Sequence, residues 1–167
     1  MATWGTTVTR STAELITASM WNGLNGPSGN LQYLYDNSGA GGMTAVTFSA
    51  GNFTGNGSMT WTLTSPDQVY FGYAIRGKLM TLHFQLDTTS VGGTPNSQLQ
   101  ITIPLSKVAT RTKTGTCRII DNGTSSIGFC FVSASGTVVS IALGSAGTWA
   151  ASTNATYIQG EIEFEIN

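Results

Sequence analysis

Apolar and polar residues alternate along most of the chain after about residue 45. The final segment shows this most clearly, because apolar positions at 158, 162, 164 and 166 alternate with polar positions from Gln159 to Glu165. Side chains of a β-strand point alternately to its two faces, so this period of two predicts a strand with one buried and one solvated face. The same period recurs in four earlier segments: residues 59–63, 69–75, 80–86 and 99–103.

Turn-forming residues separate these predicted strands. Arg76-Gly77 lies between two alternating segments and predicts a hairpin, and Asp121-Asn122-Gly123-Thr124 is a second turn signal. Further strands are expected at residues 117–120, 127–132 and 138–143. About eight strands with almost no helical signal among them predict an all-β, antiparallel β-sandwich of jelly-roll type. An immunoglobulin-like sandwich is the alternative, although its usual Cys and Trp spacing is absent.

The first 42 residues follow a different pattern. Two short helices are predicted there, the first capped by Thr17 and stopped at Gly26-Pro27. Their apolar residues would form a packing surface: Met20, Trp21, Leu24, Leu31, Leu34 and Tyr35. Such short helices are not stable alone and need partners. We therefore expect residues 1–42 to form an attachment and oligomerisation segment, and residues 43–167 to form the β-sandwich head domain.

The low charge of the chain excludes some partners. Only 9% of the residues are charged, against about a quarter in a typical globular protein. The net charge is -1 and the seven Lys and Arg residues are scattered, which argues against nucleic-acid binding. No stretch of eighteen apolar residues and no signal peptide is found, so membrane insertion is not expected and the chain should be made in a cytoplasm.

Catalytic and metal-binding residue types are sparse. The only histidine, His83, is predicted on the polar face of its strand, where contact with solvent or a partner is favoured over catalysis. A carbohydrate-active enzyme would need paired carboxylates, yet Asp67, Asp87 and Asp121 lie near turns without evident partners. We expect no enzymatic activity and no cofactor.

Three glutamates, Glu161, Glu163 and Glu165, form the only concentrated charge in the sequence. Alternate residues of one strand stand about 7 Å apart on the same face, so these carboxylates could share a cation such as calcium if loops supplied further oxygens. A solvated face that deters edge pairing is the favoured interpretation. We therefore expect no metal site, with these residues as the weak candidates.

The two cysteines, Cys117 and Cys130, flank the second turn signal. They would be cross-strand neighbours if the hairpin were centred between Gly123 and Thr124, and a disulfide is then geometrically possible. Free, buried thiols are the favoured alternative, because intracellular folding keeps thiols reduced.

Aromatic residues are the best candidates for contacts with a sugar or a protein. Tyr70 lies opposite the apolar face of its strand, and Trp149 lies in a loop among small residues. These two are the expected receptor contacts because their positions predict exposure.

The N-terminal sequence resembles the opening of tailed-bacteriophage minor structural and tail-fibre proteins. Three motifs carry the resemblance: Thr3-Trp4-Gly5, Glu14-Leu15-Ile16-Thr17-Ala18, and Asn30-Leu31-Gln32-Tyr33-Leu34. The chain departs from that pattern at residues 26–29, where Gly-Pro-Ser-Gly replaces charged helical residues.

The resemblance implies a virion component assembled in the host cytoplasm. It further implies a homotrimer whose N-terminal segment, including Trp4, attaches to other virion proteins while a jelly-roll head faces outward. The expected role is a tail fibre or receptor-binding tip that adheres to a host-surface glycan or protein. The alternative is a capsid decoration, or cement, protein that stabilises the phage head.

Overall fold

The computed structural model describes residues 42–167, which contain ten β-strands and three single-turn 3-10 helices. The strands are β1 (Thr44–Ala45), β2 (Phe53–Gly55), β3 (Met59–Thr62), β4 (Gln68–Arg76), β5 (Leu79–Gly93), β6 (Gln98–Thr102), β7 (Lys113–Asp121), β8 (Thr124–Val132), β9 (Val138–Leu143) and β10 (Ser152–Glu165). The 3-10 helices are Ala50–Asn52, Ser65–Asp67 and Pro104–Ser106. None of these helices has the length and apolarity needed to cross a membrane.

The predictions for the N-terminal segment lie outside the described residues. They concern its two short helices and its attachment residues Trp4, Met20, Trp21, Leu24, Leu31, Leu34 and Tyr35.

The ten strands form one continuous antiparallel sheet that curls around its core. Its order is β1-β4-β5-β10-β7-β8-β9-β6-β2, and β3 pairs with the second half of β5. The sheet must curl because β2 and β3 are consecutive in the chain but attach near opposite ends of this order. The predicted all-β antiparallel class is confirmed, whereas the jelly-roll sandwich is not.

The core fills the concave side of the curled sheet, as the alternation in β10 predicts. Ile158, Ile162 and Phe164 are buried there, whereas Glu161 and Glu163 are exposed. Aromatic rings from other strands pack in the same core: the Phe53 ring lies 5.5 Å from that of Trp61 and 5.7 Å from that of Phe71.

Both predicted hairpins form. In the first, β4 and β5 are joined by Gly77 and Lys78, and Gly77 has φ +63. In the second, Asp121 pairs with Thr124, so the turn is Asn122-Gly123, with φ values of +46 and +81. Two consecutive residues with positive φ match the twist of a two-residue hairpin, which explains the Asn-Gly sequence.

The expected centre of the second hairpin is wrong by one residue. The two-residue turn places the centre between Asn122 and Gly123, so Cys117 pairs with Gly128 and Cys130 pairs with Gly115. The cysteines are therefore not directly opposite each other. Both are buried free thiols.

Two predictions of side-chain direction are wrong. Val69 was expected on the buried face of β4, but the pairing with β5 shifts between Gln68 and Tyr70, and this irregularity leaves Val69 53% exposed. Trp149 was expected in an exposed loop, but it is 0% exposed. A hydrogen bond holds this loop against the β5–β6 connection: the Trp149 backbone N–H donates to the Asn96 carbonyl at 2.9 Å. Burial removes the large apolar surface of the indole from water, although its Nε1 has no hydrogen-bond partner among the described residues.

Candidate functional site

The convex outer face of the sheet carries a row of side chains that crosses five strands. Each member is paired with the next across neighbouring strands: Tyr70 of β4, Gln85 of β5, Gln159 of β10, Arg118 of β7 and Ile127 of β8. We call these five residues the outer row. Since neighbouring strands lie about 4.8 Å apart, the row is roughly 19 Å long. It combines aromatic, amide, cationic and aliphatic side chains in one line.

Tyr70 marks one end of the outer row and packs on its neighbours. Its ring centroid lies 5.1 Å from that of His83, which is half-buried on the adjacent strand. A Cβ atom at Gly72 would lie 2.6 Å from the Tyr70 hydroxyl oxygen, so the absence of a side chain there leaves space for the phenol. Tyr70 is thus held across the sheet surface, on the outer face, where it is half-buried and not fully exposed as expected.

Contacts around Tyr157 orient the middle of the outer row. The guanidinium carbon of Arg118 lies 5.0 Å from the Tyr157 ring centroid, a cation–π contact. The Tyr157 hydroxyl donates a hydrogen bond to Gln159 Oε1 at 2.6 Å. Both neighbouring members of the row, Arg118 and Gln159, are therefore positioned by the same tyrosine.

A shallow depression of about 230 Å³ opens on the outer face between these side chains. Thr116, Cys117, Arg118, Ile127 and Gln159 line it. Ile127 is 72% exposed, so the depression has an aliphatic wall beside its polar groups. The partly exposed Phe129 lies on the same strand and the same face. The depression thus places a few polar groups beside apolar surface on an open face of the sheet.

A second concave region, of about 360 Å³, lies between the start of the described chain and the Pro104–Ser106 turn. Val46, Tyr73, Ile103 and Leu105 contribute to its lining, and no charged side chain does. Leu105 is 60% exposed and has φ +60. The groove is larger than the depression, and its polar lining groups are hydroxyls and an amide rather than a guanidinium.

The glutamate stripe of β10 points outward and has short-range partners. Glu163 Oε2 accepts a hydrogen bond from the Thr81 hydroxyl at 3.3 Å, and Glu165 Oε2 lies 3.3 Å from Arg111 Nε. Glu161 is paired with His83 of β5. Within residues 42–167, no group of three or more His, Cys, Asp or Glu side chains could hold a metal ion.

The thiols of Cys117 and Cys130 lie together beneath the outer row. Cys130 Sγ donates to the carbonyl oxygens of Thr116, at 3.8 Å, and Glu161, at 3.7 Å. A hydrogen bond with Cys130 and burial both raise the pKa of Cys117. A high pKa keeps this thiol protonated and unreactive, because the thiolate is the nucleophile.

The carboxylates of Asp67, Asp87 and Asp121 accept hydrogen bonds from backbone N–H groups or hydroxyls of turns and loops. Asp67 Oδ2 accepts hydrogen bonds from the Thr64 backbone and hydroxyl, and Asp121 accepts one from the Ala150 backbone. Burial alone would raise the pKa of Asp67, but the hydrogen bonds from Thr64 and Thr88 lower it. Burial raises the pKa of Asp121, and the Ala150 hydrogen bond partly offsets this. Asp87 accepts from the Thr88 backbone.

The structure separates the two expected receptor contacts. Tyr70 belongs to the outer row, whereas Trp149 is in the core and is not available for contact in this conformation. Sequence reasoning did not identify Gln85, Arg118 or Gln159 as site residues. Alternation predicts that these three side chains point outward. It does not predict that they lie in one row, because that depends on strand order and register.

Comparison with protein-family models, with curated proteins and with solved structures finds no match to this chain. A proposal about function therefore depends on the sequence and geometry of this chain alone.

Proposed function

We propose that the chain is a structural protein of a tailed-bacteriophage virion and forms part of a trimeric tail fibre or receptor-binding tip. Its β domain adheres to the host surface, and residues 1–42 attach it to the particle. The virion assignment is supported by the three N-terminal motifs between Thr3 and Leu34. The adhesive role is supported by the geometry of the outer face.

The outer row is the observation that carries the adhesive role. Its side chains are partly or fully exposed, yet two of them are already held by contacts with Tyr157 and one by packing on His83. Side chains that are ordered before binding lose less conformational entropy when a ligand arrives. A convex surface with such side chains is suited to contact a large partner.

Binding is favoured over catalysis because the acidic side chains already make structural contacts. Asp67 and Asp121 accept hydrogen bonds that stabilise turns, and Glu165 contacts Arg111. A glycosidase would use two carboxyl groups that flank a scissile bond.

A jelly-roll relationship is part of the proposal as well. The antiparallel pairing of strands that are distant in sequence, such as β5 and β10, supports it.

Copy number in purified virions tests the virion assignment. A tail component is expected in a few to a few tens of copies per particle, which quantitative mass spectrometry measures against the major capsid protein. Absence from the particles would overturn the proposal. Hundreds of copies would replace the tail role with the capsid decoration role.

Adsorption tests the adhesive role. Purified protein added to host cells before infection should reduce phage adsorption in a concentration-dependent way, because it occupies the same receptor. Unchanged adsorption at saturating protein concentration would contradict host adhesion.

A further inference from the structure

We infer that the depression beside Arg118, together with the outer row, is a binding site for a neutral, hydroxyl-rich carbohydrate. This inference rests on the proposed adhesive function and names its ligand class. The site is formed by Thr116, Arg118, Ile127 and Gln159 at the depression and by Tyr70 at the far end of the row.

The side chains of the depression match the two kinds of surface that a sugar presents. The Arg118 guanidinium donates hydrogen bonds, while the Gln159 amide and the Thr116 hydroxyl have both donor and acceptor groups, as sugar hydroxyls require. Ile127, which is 72% exposed, supplies apolar surface for the C–H groups of a sugar ring. At about 230 Å³, the depression is suited to a single sugar unit rather than to a folded peptide segment.

The charge of the site favours a neutral glycan. Arg118 is the cation of the outer row. Glu161 lies on the same face of β10 as Gln159, the partner of Arg118, and two residues further along the strand. Glu163 follows on the same face. An acidic polysaccharide would need an excess of positive charge, whereas this surface has at least as many carboxylates as guanidinium groups.

The outer row extends the site beyond one sugar. Gln85 lies between Gln159 and Tyr70, and the distance across these two strand spacings is about 10 Å. An oligosaccharide seated at the depression could reach the Tyr70 ring, whereas a monosaccharide could not. Tyr70 is thus assigned to binding of the longer ligand only.

Binding of the full-length protein to a printed array of neutral and acidic oligosaccharides tests the site. We expect binding to at least one neutral oligosaccharide and none that depends on sialic acid or sulfate. Titration with that oligosaccharide should then show that Arg118→Ala and Gln159→Ala each weaken binding at least tenfold, which corresponds to about 1.4 kcal/mol.

Arg111→Ala is the matched control, because Arg111 is a highly exposed arginine that contacts Glu165 away from the depression. It should change affinity less than twofold. Tyr70→Ala should weaken binding of the oligosaccharide but not of its terminal monosaccharide. Thermal unfolding of each variant confirms that the fold is retained.

Three results would overturn the inference: no neutral ligand on the array, binding confined to acidic glycans, or equal affinities for the Arg118→Ala and Arg111→Ala variants. If the protein is still a low-copy virion component that blocks adsorption, the proposed function stands and only the carbohydrate site fails. If the protein is absent from virions, the function itself fails, whatever the array shows.

Discussion

Gly160 occupies an inward position of β10 where a larger residue does not fit. A Cβ atom there would lie 2.8 Å from Cys117 Cβ and 3.0 Å from Phe84 Cζ. Real side chains do not approach so closely, so the neighbouring strands β5 and β7 would have to move. The alternation of β10 is thus interrupted at the point where the Phe84 ring needs space.

We expect Gly160→Ala to lower the free energy of unfolding by roughly 1–3 kcal/mol, because an overpacked core must shift backbone or side chains. Denaturant unfolding measures this change. Gly51→Ala is the matched control, since its nearest neighbour to the added Cβ is Ser49 Oγ at 3.9 Å. Equal stabilities of the two variants would show that β10 tolerates a side chain at position 160.

At the scale of elements, the β7–β8 hairpin determines where the site residues lie. Arg118 is paired with Ile127 only because the turn consists of the two residues Asn122 and Gly123. A hairpin centred one residue later would have paired Arg118 with a different residue of β8. The turn thus controls which side chains meet at the depression.

The variant Gly123→Val should destabilise the protein by at least about 1 kcal/mol, because φ +81 is unfavourable for a β-branched residue. Asn122→Gly should be nearly neutral, since glycine adopts the φ of +46 at that position easily. Thermal unfolding of both variants gives the comparison. A Gly123→Val variant as stable as the wild type would mean that this turn can adopt another conformation.

At the scale of the whole molecule, a weakly charged domain exposes several apolar side chains. Leu105 and Ile127 are more than half exposed, and Phe129 is 43% exposed. Ile127 belongs to the proposed carbohydrate site, but Leu105 borders a separate groove. A second contact surface is consistent with the proposed assembly into trimers.

Light scattering of the full-length protein should give three times the 17.5 kDa mass of the chain. Arg118→Ala should leave this mass unchanged, because the carbohydrate site is proposed to face the host and not another subunit. A monomer at micromolar concentration would contradict the trimer.

Some site features were accessible from the sequence and others were not. The outward direction of Tyr70 follows from the inward direction of its neighbour Phe71 in an alternating segment. Its packing on His83, which leaves it half-buried, does not follow from alternation. The predicted exposure of Trp149 is wrong because an irregular loop has no period from which burial can be inferred. The loop that buries it is fixed by distant residues: the Trp149 backbone N–H donates to the Asn96 carbonyl, and the Ala150 backbone N–H donates to the Asp121 carboxylate.

Local alternation was sufficient to predict eight of the ten strands, the buried face of β10 and both hairpins, because side-chain period and turn chemistry act between neighbours in the chain. The strands β1 and β2, of two and three residues, were not predicted because they are too short to show alternation. The single curled sheet, its strand order and the alignment of Tyr70, Gln159 and Arg118 were decided by tertiary structure. These features depend on pairing between strands far apart in sequence, and a shift of one residue in register would turn a whole strand over. The outer row exists only once β4, β5, β10, β7 and β8 lie side by side.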